Sequence, residues 1–308
     1  MDSGLKFEFE SWHDPEDTWI LHGPGSGDRG VHLGTRPEGI YDEPVESIWN
    51  SHAFQIGADF GGIRIHKRDV ILGIEVTDTP YDTWQRNDSE WRRGWSYKKD
   101  SKLWCETEEW GRRFLPLRLS KNPDFAPDTS PFQAQWGHII YSATAGKPRW
   151  RQDDETDTWI NNTDLTGVTD PNVWSTGTVK VSNPTDTEMW LQWVVQAYPG
   201  AIYKLPDFSF GDERWDSGTA HAARTITMPS LIAGEHLKVN TDEEEDQVVS
   251  NIDTSVYMRM KGVRFLYPVP PETEEMELPV AVRKAPVGVG VQVRCARNWS
   301  RPWGLGLY

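Results

Sequence analysis

The glycine-rich segment HGPGSGDRG, residues 22–30, has the composition of a phosphate-cradling loop. It lacks the Lys followed by Ser or Thr that would hold phosphates and Mg²⁺, so it reads as a flexible loop between strands. The acidic run Asp242, Glu243, Glu244, Glu245 and Asp246 invites a Ca²⁺ reading. An EF-hand needs alternating ligands and a central glycine, neither of which is present, and a solvated turn between strands is the better reading. His22, His32, His52, His66, His138, His221 and His236 are scattered, with no HExxH pair and no Cys/His spacing suited to zinc. Cys105 and Cys295 are too few for a disulfide framework and read as buried thiols. No G-x-S-x-G elbow occurs. Tryptophans among scattered carboxylates also fit a sugar-binding or glycan-hydrolysing cleft, but sequence alone does not pair those carboxylates. No catalytic, cofactor-binding or metal-ligating residue is assigned.

Composition narrows the class further. The chain has 308 residues and a formal net charge of -15, the wrong sign for a surface that grips nucleic-acid phosphates. The basic pairs Arg92-Arg93 and Arg112-Arg113 stand among acids and form no stripe, so no specific nucleic-acid binding is expected. No run approaches the roughly 20 apolar residues of a membrane span, and the start MDSGLKFEFESWHD lacks the basic flank and apolar run of a signal peptide. That implies a cytoplasmic protein, or one that leaves the cell only within a larger particle. The outstanding feature is 17 tryptophans. Tryptophan combines large apolar area with one polar handle, and an excess of it suits a protein whose work is contact.

The elements that must position these residues are mostly strands. Leu5, Phe7 and Phe9 alternate onto one face, as do Val70, Leu72, Ile74 and Val76, and Val179 with Val181. TITMP, HLKVN, VYMRM and VGVGVQVRC read the same way, the last placing Val287, Val289, Val291, Val293 and Cys295 together. One helix is predicted near 80–98, with Thr79 as its cap and Pro80 in its first turn. It carries Trp84, Trp91 and Trp95 on one face as a packing or interface stripe, and the pairs Asp88/Arg92 and Glu90/Arg93 outside. The acidic, turn-rich stretch 151–172 places a domain junction near residue 155. The prediction is a mainly β chain: a domain over 1–155 with the helix, and a β-sandwich over 156–308 ending in a tryptophan-rich arm. In that arm, RNWSRPWGLGLY, Pro302 stiffens the backbone and Trp299 and Trp303 are displayed; both are expected to be buried, more by folding back on the same chain than by docking on a neighbour. Trp190, opposite in parity to Met189, Leu191 and Trp193, is the one tryptophan whose strand position offers it to a sugar.

Several stretches together resemble the minor tail proteins of siphophages that infect actinobacteria, of the distal tail protein type. They are GDRGVHLGTRPEGIYDEPVESIWNSHAFQIGADFGGIRIHKRDVILGIEV (27–76), NDSEWRR in the helix, GTVKVSNPTDTEMWLQWVV (177–195), ARTITMPSLIAGEHLKVNT (223–241) and NWSRPWGL (298–305). The resemblance implies a structural virion protein, not an enzyme, with no cofactor. In such proteins the N-terminal β domain forms a six-membered ring at the tail tip, joining the tail tube protein to the hub and other minor tail proteins, with the tape measure protein as a further neighbour. The C-terminal domain is a galectin-like β-sandwich. Assembly would occur in the host cytoplasm and the working place would be the virion. The rival implication is a carbohydrate-binding tail protein that aids adsorption to the host cell wall.

Overall fold

The computed structural model describes residues 4–215 and 219–306, and the fold is mainly β. The chain divides into two compact units, one comprising residues 1–152 with Trp299–Leu305 and the other built around Asp153–Asn298.

In the first unit the strands are β1 (Leu5–Glu10), β2 (Thr18–His22), β3 (Val31–Leu33), β4 (Val45–Asn50), β5 (Asp59–Ile65), β6 (Arg68–Thr77), β7 (Ser101–Thr107), β8 (Gly111–Leu119), β9 (Trp136–Ala145) and the start of β10 (Trp150–Ile160). Helices α1 (Trp84–Arg93) and α2 (Pro131–Ala134) interrupt them. Antiparallel pairing runs β2-β1-β7-β8, and the end of β8 crosses to β9, which pairs with β6; β6 in turn pairs with β3. The alternation of β6 is realised in full: Val70, Leu72, Ile74 and Val76 are buried, while Asp69 and Ile71 face outward. The core is strongly aromatic. Phe9 lies 4.6 Å from Trp91 and 4.4 Å from Trp95, ring centre to ring centre, and Tyr141 stacks on Trp95 at 5.3 Å.

The helix is shorter than predicted. Thr79 accepts from the N–H groups of Tyr81 and Asp82 through its hydroxyl, closing a turn, so the helix begins at Trp84 after the N-cap Thr83. It ends at Gly94, and Trp95 reaches the core from just beyond the helix. The Asp88/Arg92 pair forms at 2.9 Å, but Glu90 pairs with Arg29 and Arg86 instead of Arg93. Arg29 belongs to the glycine-rich loop and stacks over Trp19 at 4.0 Å. That loop is therefore tied to the helix through Arg29, contrary to the flexible loop expected from its composition.

The second unit holds the remainder of β10, then β11 (Ser175–Asn183), β12 (Leu191–Val195), β13 (Ile202–Pro206), β14 (Thr225–Thr227), β15 (Leu237–Asn240), β16 (Val248–Ser250), the short helix α3 (Val256–Arg259), β17 (Thr273–Arg283) and β18 (Gly290–Trp299), which leaves the unit after Asn298. One sheet has the order β11-β17-β13-β14, and β16-β15-β12-β18 form the other. Both bury one face in a shared core, with Val179, Tyr203 and Val282 from the first sheet and Trp193, Val239 and Val293 from the second. The last strand starts later than its pattern suggested: Val287 lies in an exposed turn with Gly288, while Val289, Val291, Val293 and Cys295 are buried. Gly290 permits a close approach, since a Cβ there would lie 2.3 Å from the carbonyl oxygen of Trp159. VYMRM, expected as a strand, contains α3 instead.

The expected boundary near 155 lies at 152/153, and residues 299–305 belong to the first unit, not to the C-terminal one. Buried side chains of the first unit, Arg68 and Arg113, account for this by holding the backbone of that segment. Leu307 and Tyr308 of the arm lie outside the described residues.

Candidate functional site

Both of the contact-forming features lie in the first unit. The first is the arm. Arg68 and Arg113 are each only 1% exposed, and sequence reasoning gave neither a role there. Adjacent residues of a strand face opposite sides, so Arg112 points outward to Glu8 at 2.8 Å while Arg113 points in. The Arg113 guanidinium lies 3.6 Å over the Trp299 ring and donates to the carbonyls of Arg301 and Gly304 at 3.0 and 3.1 Å. Arg68 donates to the carbonyls of Pro148, Gly39 and Ser300. Burial pushes the Arg68 guanidinium down to about 10, partly opposed by the nearby carboxylates of Glu43 and Asp42, and it stays charged at neutral pH. Trp299 is buried and its indole N–H donates to Gln152, while Trp303 is partly buried against Tyr41, ring centres 5.4 Å apart. A fork of fixed donors is what lets one side chain satisfy several backbone carbonyls of an otherwise irregular segment.

The second feature is the β4–β5 hairpin, which among the described residues pairs with no other strand. Every residue of β4 is exposed, and all of β5 except the half-buried Gly62. The register opposes Val45 to Ile65, Ser47 to Ile63 and Trp49 to Phe60, which places these six on one face. Trp49 and Phe60 are each 60% exposed and meet edge to face at 5.5 Å. The register shifts between Ile48 and Trp49, opposite the Gly61-Gly62 pair, and Gly62 has φ +131°, a conformation that a β-carbon disfavours. At the tip Phe54 and Ile56 are fully exposed, and Phe54 holds the left-handed φ of 70°. The other face of the hairpin carries Glu46, Arg64, Asn50 and Asp59, with Glu46 paired to His66 at 2.7 Å.

No protein-family model matches the chain. Two curated proteins do: the minor tail protein Gp27 of Mycobacterium phage L5 and that of Mycobacterium phage D29, each 31% identical to it over 91% of this chain and 94% of their own. The chain belongs to the mycobacteriophage minor tail protein Gp27 family. Among solved structures, this Gp27 relative is similar in fold to the Dit protein of phage SPP1, described as a paradigm of the hub adsorption apparatus of phages infecting Gram-positive hosts. The TM-score is 0.55 at 8% identity, covering 95% of this chain and 98% of that one.

Within this Gp27 family member the residues singled out by sequence fall into three groups. Trp84, Trp91 and Trp95 are buried in the first unit's core and are not surface contacts. Trp299 and Trp303 form the arm that packs on the same unit. Trp190 is half-buried, next to the buried Met189 and Leu191. Among the described residues no three His, Cys, Asp or Glu side chains converge to hold a metal ion, and no helix is long and apolar enough to cross a membrane. The hairpin was missed because alternation reveals that a strand has an apolar face but not whether its own domain covers that face.

Proposed function

We propose that this Gp27 relative is a structural protein of the distal tail, six copies of which close into an adaptor ring between the tail tube and the hub. The observation that supports this reading is the 31% identity to minor tail proteins sustained across 91% of the chain. The ring's neighbours are the tube protein, other minor tail proteins and the tape measure protein; it is built in the host cytoplasm and works at the tail tip of the virion. The role is mechanical, so no catalytic step is assigned. Standing contacts require rigid bodies with exposed contact surfaces, and the aromatic core, the clamped arm and the apolar hairpin supply these.

The reading is tested by labelling virions of the encoding phage with a gold-conjugated antibody against the chain, with peptide mass spectrometry to count copies. Label at one tail end with a copy number near six supports it. Label on the capsid, or along the whole tube, overturns it.

A further inference from the structure

We propose that the open edge of β16 receives an extended basic segment of another protein, which joins the β16-β15-β12-β18 sheet as an added strand. The site lies wholly within the second unit and does not depend on the ring reading.

β16 is the outermost strand of its sheet, and among the described residues no strand pairs with its far side. The ladder shows which backbone groups face that side. The Asn240 N–H donates to the Gln247 carbonyl at 2.9 Å and the Asn251 N–H to the His236 carbonyl at 3.1 Å, with Val249 opposite Lys238 between them. Inward bonding alternates along an antiparallel pair, so Gln247, Val249 and Asn251 bond to β15 while Val248 and Ser250 turn their N–H and C=O groups outward. The Asp253 N–H donates to the Ser250 carbonyl at 3.3 Å. Among the described residues, both groups of Val248 and the Ser250 N–H are left for a further strand. Open edges are usually guarded by a charge or a proline within the strand. β16, with the sequence Val-Val-Ser, has neither, and Val249 is exposed.

The edge borders a groove of about 470 Å³ that Thr254 and, from α3, the exposed Tyr257 also line. Charge selects its occupant. Glu243, Glu245 and Asp246 line the groove in the turn before β16, and Asp253 lines it just past the strand's end. Arg264 lines it too, with its guanidinium 5.3 Å over the Trp215 ring, so four carboxylates stand against one guanidinium. Lys238, opposite Val249 on the neighbouring strand, does not line the groove. A strand residue spans about 3.4 Å, so about three residues of an added strand run the length of β16. The matching partner has a short uncharged, strand-forming centre with Lys or Arg at both ends. Backbone bonds to Val248 and Ser250 hold its middle, and the flanking cations meet the carboxylates at either end of the edge. Carboxylates alone would attract any cation; the free edge between them is what calls for an extended chain.

The test measures fluorescence polarisation of a labelled heptapeptide, Lys-Lys-Val-Thr-Val-Lys-Lys, with the full chain. Saturable binding is the expected result, together with slowed amide exchange at residues 247–250. Three changes should each weaken binding about 10-fold or more. One is N-methylation of the peptide's three central amides, which removes donors without altering charge. Another replaces its lysines by glutamates. The third is Glu243→Lys with Asp246→Lys in the chain, both exposed side chains. The two peptide changes use the unaltered chain, so they decide the matter even where the variant misfolds. Binding that survives N-methylation but not charge reversal overturns the added strand and leaves only attraction between charges. No binding up to about 1 mM peptide overturns it as well, and makes the acids guards of the edge. A peptide that breaks up an oligomer of this chain shows the edge already held by a second copy, and that too overturns the proposal.

Discussion

The Arg113 guanidinium and the Trp299 ring stack at 3.6 Å, joining a strand in the first half of the sequence to a residue nearly at its end. The contact fixes residues 299–305 within the first unit, because the same guanidinium also holds two carbonyls of that segment. Lysine offers neither a planar face nor a fork of donors, so Arg113→Lys should destabilise by about 2 kcal/mol or more. Trp299→Ala should cost about 3–5 kcal/mol, as for other buried tryptophans. Arg112→Ala, next door but outward, should cost no more than about 1 kcal/mol. Urea titrations of the three variants check the order. Equal losses at Arg112 and Arg113 would contradict the inward clamp.

Much of this was legible in the sequence, for physical reasons. Period-two runs such as Val70 to Val76 announce both the strand and its buried face, and the spacing of Trp84 and Trp91 announces the helix and the side it buries. The helix start was misplaced because Thr79 has the same signature in a hydroxyl-capped turn as at a helix N-cap. The arm's destination was not legible, since it depends on Arg68 and Arg113, which are remote in sequence and look like surface charges. The hairpin was not legible either: Val45, Ser47 and Trp49 alternate as any half-buried strand does.

The two thiols should be silent in the native protein. Burial raises Cys105 to about 12 and raises Cys295 as well, and both are free and buried. A thiol reagent such as DTNB should react with neither at pH 8 and with both in denaturant. Because the folded-state pKa values lie above the unfolded ones, the stability these groups contribute is present below about pH 8.5 and is lost as pH rises toward the folded values. The denaturation midpoint should therefore fall above that pH, and less steeply in Cys105→Ala. Rapid labelling of the native protein would contradict the burial of these side chains.

Salt should favour assembly. Apolar contact between bodies of like charge is opposed by long-range repulsion, which is screened beyond about 8 Å at physiological ionic strength. Raising NaCl from about 0.05 to 0.5 M, a range over which that screening length shortens, should tighten the oligomer in sedimentation velocity runs. Dissociation on adding salt would show that ion pairs dominate the joints.

Chelation should change nothing. Since no metal-holding cluster is present among the described residues, EDTA is expected to leave the melting temperature and the oligomer mass unaltered. A drop of several degrees would reveal a metal held in some other way.

Cryo-electron microscopy of the encoding phage's tail decides whether this Gp27 relative forms the ring proposed above. A closed ring at the distal end of the tube, into which the first unit fits once per subunit, is the expected result. Density for the chain only as single copies, or away from the distal end of the tube, would overturn the ring.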